Sequence, residues 1–128
     1  VQAVHQAMLI PDFYSILHAD ISADKVEAHI RLQAEHPIFK GHFPGNPVTP
    51  GVCMLQIVKE LTEQATQQHL RLRHCKNIKF TALINPFTDP ELHISLQIKP
   101  ETAGGFKVTG AASFAATQAL KVQALLSA

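Results

Sequence analysis

The sequence predicts an α+β domain in which an antiparallel sheet wraps one long central helix. Three observations carry that prediction. Several short stretches alternate apolar with polar residues, the pattern of strands with one buried face. One segment, opening at Gly51, instead places Met54, Ile57, Val58, Leu61 and Ala65 at helical spacing, and Val52, Cys53 and Leu55 make its first two turns apolar nearly all round. A helix of that kind has to be enclosed, and about six half-apolar strands are what the chain offers to enclose it.

Taken in order, residues 1–12 are an ambiguous lead-in compatible with a short helix stopped by Pro11, and 13–21 read as a strand. In residues 25–34, Val26, Ala28, Ile30, Leu32 and Ala34 alternate with Lys25, Glu27, His29, Arg31 and Gln33, which predicts a half-buried strand after a turn over 20–24. A loop over 36–50 leads into the helix. The later part of the helix, with Thr62, Glu63, Gln64, Thr66, Gln67 and Gln68, is expected to surface. After a basic joint at 71–76, four more strands are expected: Ile78 to Ile84, Leu92 to Ile98, Phe106 to Ala115 and Ala119 to Leu126. Pro86 and Pro90 bound the first turn between them, and Gly104-Gly105 marks a hairpin.

With 128 residues and no linker or repeat, the chain reads as a single domain over 1–128. Hydrophobic residues make up 46% and charged ones 16%, so a mild surface is expected to be covered in part by a second copy of the chain. A net charge of +1 argues against nucleic acid as the main partner. No apolar run reaches the ~18 residues of a membrane span. The opening VQAVHQAMLIPDF lacks the basic and apolar regions of a secretory leader. Cys53 and Cys75 form no CxxC pair, and a reducing cytoplasm is expected. The histidines show no HxxxH spacing, and no glycine-rich phosphate loop or serine nucleophile elbow is present, so neither metal nor cofactor is expected.

The candidate site is the loop before the helix. His42 sits among Gly41, Pro44, Gly45, Pro47 and Pro50, residues that stiffen a backbone or permit turns closed to others. Such a loop presents one imidazole beside a helix N-terminus. The imidazole titrates near neutral pH and suits a general base, the alternative being a histidine that caps its own loop. The first amides of the helix, at Gly51, suit an oxyanion, although a plain loop-to-helix turn also explains a Pro-Gly pair.

At GHFPGNPVTPGV, residues 41–52, the chain resembles the hotdog-fold β-hydroxyacyl-acyl carrier protein dehydratases. A weaker likeness continues through Asn77-Ile-Lys-Phe80 and Pro86. The resemblance implies that His42 is catalytic, that the Gly51 N–H faces the thioester carbonyl, and that Phe43, Pro50 and Val52 contact the substrate. It also implies a homodimer that forms an acyl tunnel, with either an acyl carrier protein or a coenzyme A thioester as substrate.

The family's second catalytic group is a Glu or Asp fourteen residues after the histidine, a position filled here by Gln56. The dehydratases often carry Gln four residues further on, and this chain has Glu60. A carboxamide holds a hydroxyl or a water but does not release a proton near neutral pH. Losing a general acid costs roughly 10²- to 10⁴-fold. Glu60, one turn along the same face, is the candidate substitute. The alternative is that Gln56, Glu60, Glu63 and Gln67 form a solvated stripe.

Three functions are therefore in view: a dehydratase with an altered proton donor, a hotdog thioesterase in which Gln56 orients water, and a non-catalytic acyl-binding or accessory subunit. Arg71, Arg73, Lys76 and Lys79, with Lys40, suit a basic rim for an acidic carrier protein, or an ordinary solvated surface.

Overall fold

Among the described residues seven elements follow one another: β1 (Tyr14–Ile21), β2 (Lys25–Leu32), α1 (Gly51–Thr66), β3 (Arg71–Phe80), β4 (Glu91–Pro100), β5 (Phe106–Phe114) and β6 (Thr117–Ser127). The computed structural model describes residues 13–36, 49, 51–102, 104–115 and 117–128, Val52 by its backbone alone. The expectations for the lead-in, for His42, Phe43 and Pro50 and for the side chain of Val52 lie outside the described residues.

The six strands form one antiparallel sheet in the order β1-β2-β4-β5-β6-β3. The strands flanking the helix in sequence, β2 and β3, are far apart in the sheet. The chain therefore passes through α1 on its way to the opposite edge, and the helix lies over the inner face. Register follows the alternation read from sequence. Val26, Ala28 and Ile30 pair with Leu96, Ile94 and Leu92, and all six are buried on the helix side. Val108 and Ala112 of β5 and Leu120, Val122, Ala124 and Leu126 of β6 continue that face. Cys53, Met54, Ile57, Val58, Leu61 and Ala65 of the helix press onto it, nearest to β2 and β4. On the opposite face His29 and His93 point outward as expected. Each reaches diagonally to a carboxylate of the neighbouring strand, His29 to Glu91 at 3.0 Å and His93 to Glu27 at 2.7 Å.

The Gly104-Gly105 signal is a real turn between β4 and β5. Both glycines have positive φ, +93° and +83°, and a Cβ on Gly105 would meet the Leu126 carbonyl oxygen at 2.5 Å. The strand expected over 25–34 ends at Leu32.

Three expectations need correction. The basic segment 71–76 is no joint: it is the first half of β3, which pairs with β6 from Arg71 onward. Its charged side chains concealed the strand because β3 is an edge strand with little burial to advertise. The same strand ends at Phe80 instead of Ile84. Thr81 and Ala82 both turn their N–H groups to the Ala119 carbonyl, and the chain leaves the sheet there. Ile84 is nonetheless fully buried, and its carbonyl accepts the Thr49 N–H at 2.8 Å, tying this loop to the approach of the helix.

The third correction concerns the helix, whose later half does not surface. Thr62 and Glu63 are buried with Leu61 and Ala65. The hydroxyls of Thr62 and Thr66 donate back to the carbonyls of Val58 and Thr62, which removes the cost of enclosing them. Glu63 accepts the Leu70 N–H at 2.8 Å and the Lys59 ammonium at 3.3 Å, so it ties the helix end to the start of β3. Gln67, at φ 61°, closes the helix in the left-handed conformation.

Candidate functional site

The helix face that carries Gln56 and Glu60 defines the site. An i, i+4 spacing stacks two side chains one turn apart, and here the two are bonded: the Gln56 Nε2 donates to Glu60 Oε2 at 2.8 Å. Glu60 is 2% exposed, which rules out the solvated stripe as its explanation. A buried carboxylate needs hydrogen-bond donors, and the second comes from across the domain. Tyr14, at the start of β1, is 4% exposed and donates its hydroxyl to Glu60 Oε1 at 2.7 Å. The result is a buried chain running from phenol to carboxylate to carboxamide. Gln56 itself is only half-buried.

Tyr14 is the member of this buried cluster that sequence reasoning missed. It lies 46 residues from Glu60, so no local pattern links them. One signal was present: it is the sole tyrosine of the chain, beside Phe13 at the head of an apolar strand. A phenol placed there has to find a partner inside. Burial, then the hydrogen bond and negative charge of Glu60, then the charge of Glu63, push the Tyr14 pKa well above its usual value. The phenol therefore keeps its proton and remains a donor at every physiological pH.

Gly51 is the first residue of α1. Amides in the first turn of a helix have no intrahelical acceptor, and the helix dipole is positive there. A Cβ at Gly51 would touch the Phe80 ring at 3.3 Å, so the end of β3 closes down on the helix tip. Thr49, two residues before it, is 2% exposed, and its hydroxyl has no hydrogen-bond partner among the described residues. Cys53 is buried in the same turn, and burial raises its thiol above the usual range, as expected for a small packing residue and not a nucleophile. The structure thus brings Gln56 and Glu60 together and adds Tyr14. Among the described residues no group of three or more His, Cys, Asp or Glu side chains is arranged to hold a metal ion.

An antiparallel six-stranded sheet over one long helix places the protein in the hotdog-fold class. Solved structures agree on the architecture. The dehydratase heterocomplex ApeI:P from Xenorhabdus doucetiae superposes with a TM-score of 0.70 at 17% identity, covering 89% of this chain and 97% of that one. A hypothetical thioesterase with coenzyme A from Streptococcus pneumoniae gives 0.68 at 10% identity, covering 94% and 88%.

Within that class the chain belongs to the ApeI-like family, described as ApeI dehydratase, whose model matches residues 18–119. It is also similar to the 3-hydroxyacyl-(acyl-carrier-protein) dehydratase FabZ of Nitratidesulfovibrio vulgaris, 29% identical over 102 residues, which are 69% of this chain. The match spans 66% of that relative's length. The corresponding enzyme of Lactococcus lactis is 40% identical over 52 residues, 38% of this chain and 34% of that protein.

Proposed function

We propose that the protein eliminates water from β-hydroxyacyl thioesters, as a hydro-lyase resembling the (3R)-hydroxyacyl-acyl carrier protein dehydratases. The observation that carries the reading is the Gln56–Glu60 hydrogen bond, at the two helix positions to which the resemblance assigns the dehydratases' polar pair. Membership of a dehydratase family supports the reaction class.

In this reading His42 removes the α-proton, and the amide of Gly51 stabilises the enolate-like oxygen that forms. Gln56 holds the departing β-hydroxyl. Glu60 has both of its oxygens engaged within the protein, one by the Tyr14 hydroxyl and the other by the Gln56 amide. Its role becomes that of a positioning residue, and the imidazolium of His42 returns the α-proton to the leaving oxygen. Atoms balance: one C–H and one C–O bond break, a C=C bond forms and water departs. Elimination without a dedicated acid is slower by roughly 10²- to 10⁴-fold than with one.

A partner copy completes the proposal. The inward side of edge strand β3 carries Leu72 and Phe80, each 40% exposed, and Leu83 and Phe87 stand exposed just beyond it. An apolar edge of that kind invites strand pairing with a second copy, which supports a homodimer. Arg71, Arg73, Lys76 and Lys79 are exposed along the same strand and suit an acidic carrier protein or the phosphates of coenzyme A. Free Cys53 and Cys75 fit a reducing cytoplasm.

The test is to incubate the protein with a β-hydroxyacyl thioester while following enoyl absorbance and free thiol together. Enoyl formation without thiol release, abolished in His42→Ala, is the expected result. A second reading, thioester hydrolysis, is favoured by the carboxamide at position 56, which is able to orient water. Thiol release would select it. Saturable acyl binding with neither product would leave an accessory subunit.

A further inference from the structure

We infer that Glu60, held by Tyr14, fixes the Gln56 carboxamide with its nitrogen inward, so that the protein presents an amide oxygen, a pure acceptor, to its substrate. The inference rests on the site assignment above and goes beyond it, because it selects the chemistry that Gln56 recognises: a group with an O–H to donate.

A free glutamine offers either end of its amide, since the two ends are almost the same shape and one torsion exchanges them. Gln56 has lost that freedom. Its neighbour one turn along is a carboxylate, which accepts and does not donate, so only the Nε2 end makes a bond there. Turning the amide over would set Oε1 against Glu60 Oε2 at 2.8 Å, two acceptors with no proton between them. Glu60 is in turn unable to swing away. It is buried, its other oxygen is bound by the Tyr14 hydroxyl at 2.7 Å, and Tyr14 is buried on a strand of the sheet.

The phenol keeps its proton throughout the physiological range, so the donor at that end does not lapse. Directionality set at β1 therefore passes through Glu60 to Gln56. Among the described residues no partner meets Gln56 Oε1, which stays open to an outside group on a side chain that is only half-buried.

An oxygen acceptor fixed this way discriminates by hydrogen-bond sense. It favours a β-hydroxyl over a β-substituent of the same size without a hydrogen to give, and it equally holds a water by one of its protons. These two O–H sources share one chemistry and separate by experiment. The probes are amides of pantetheine, with nitrogen in place of the thioester sulfur so that nothing is cleaved. One carries a β-hydroxyacyl group, the other the β-fluoroacyl group of similar size. Their dissociation constants are measured calorimetrically on the wild-type protein and on Glu60→Gln and Tyr14→Phe. Hydrolysis of an unsubstituted acyl thioester is followed in parallel by thiol release.

If the oxygen receives the substrate hydroxyl, the wild type binds the hydroxy probe about tenfold more tightly than the fluoro probe. Glu60→Gln, whose own amide satisfies either end of Gln56, brings the ratio close to one. If the oxygen receives water, the probes bind equally and the unsubstituted thioester is hydrolysed in a Glu60→Gln-sensitive way. Tyr14→Phe keeps the ring and narrows either effect, which covers the case of a Glu60 variant that does not fold. Equal binding with no such hydrolysis overturns the inference, and so does a tenfold preference that survives Glu60→Gln. Because the probes are read by binding and not by turnover, a protein that forms no enoyl product while keeping the preference would fail as a dehydratase and still satisfy this inference.

Discussion

Replacing Tyr14 by Phe removes one oxygen from the buried cluster and leaves the ring in place. The hydroxyl lost is a donor at 2.7 Å to a carboxylate that is 2% exposed, with the tyrosine itself 4% exposed. Hydrogen bonds to charged groups contribute about 1.5–3 kcal/mol, and the short distance with both partners enclosed argues for the upper part of that range. Little cavity opens, because a hydroxyl is small, so the packing loss adds little.

We expect Tyr14→Phe to destabilise the protein by about 2 kcal/mol at pH 7, read from urea denaturation with an unchanged m-value. In the background of Glu60→Gln the same substitution should cost about 1 kcal/mol or less, since a neutral partner makes the bond an ordinary one. The double-mutant cycle then reports a coupling of about 1 kcal/mol between residues 46 apart in sequence. A Tyr14→Phe protein within about 0.5 kcal/mol of wild type, or strictly additive single substitutions, would refute the reasoning.

Three further outcomes follow from other parts of the fold. Gly110 lies against β4, where a Cβ would run into the Leu96 side chain and come within 2.8 Å of the Ser95 carbonyl oxygen. Gly110→Ala should therefore lower stability by about 1–3 kcal/mol in thermal unfolding. On the proposed pairing of β3 with a second copy, Leu72→Glu, on the half-exposed inward side of that strand, should shift a wild-type dimer to monomer in sedimentation analysis while leaving the circular dichroism intact. The hydrogen bond from Ser95 and then the pairing with His93 hold the Glu27 carboxyl below its usual range. A depressed carboxyl contributes stability that is fully present above its unfolded pKa and is lost as pH falls through the folded one. Ser95→Ala should flatten that acid limb of the stability-versus-pH curve, and its effect should vanish at pH low enough to protonate Glu27 in both states.

Much of the architecture was legible in the order of residue types. Val26, Ala28 and Ile30, and likewise Leu92, Ile94, Leu96 and Ile98, alternate because a strand with one covered face leaves no other arrangement. The apolar turns after Gly51 could only belong to an enclosed helix, and Gly104-Gly105 marked the hairpin because side chains tolerate positive φ poorly. Position 56 announced itself through the glutamine standing where the resembled dehydratases carry an acid. All of these are local patterns, settled by which face of an element meets water.

What the tertiary structure decided is which polar residues are enclosed and what they touch. Glu60, Thr62 and Glu63 read as solvated because charge and hydroxyl on a helix usually are, yet all three are buried: Glu60 finds a donor on β1, Glu63 the Leu70 amide beyond the helix end, and Thr62 a carbonyl of its own helix. The basic start of β3 was hidden for the opposite reason, since an edge strand buries too little to show a period. As the sole tyrosine Tyr14 showed that it would need a partner inside, but not which one, because a hydrogen bond between residues 14 and 60 exists only once β1 has been carried round to the helix. Periodicity records a residue's neighbours along the chain. The sense in which a carboxamide faces its substrate depends on neighbours that only the folded chain assembles.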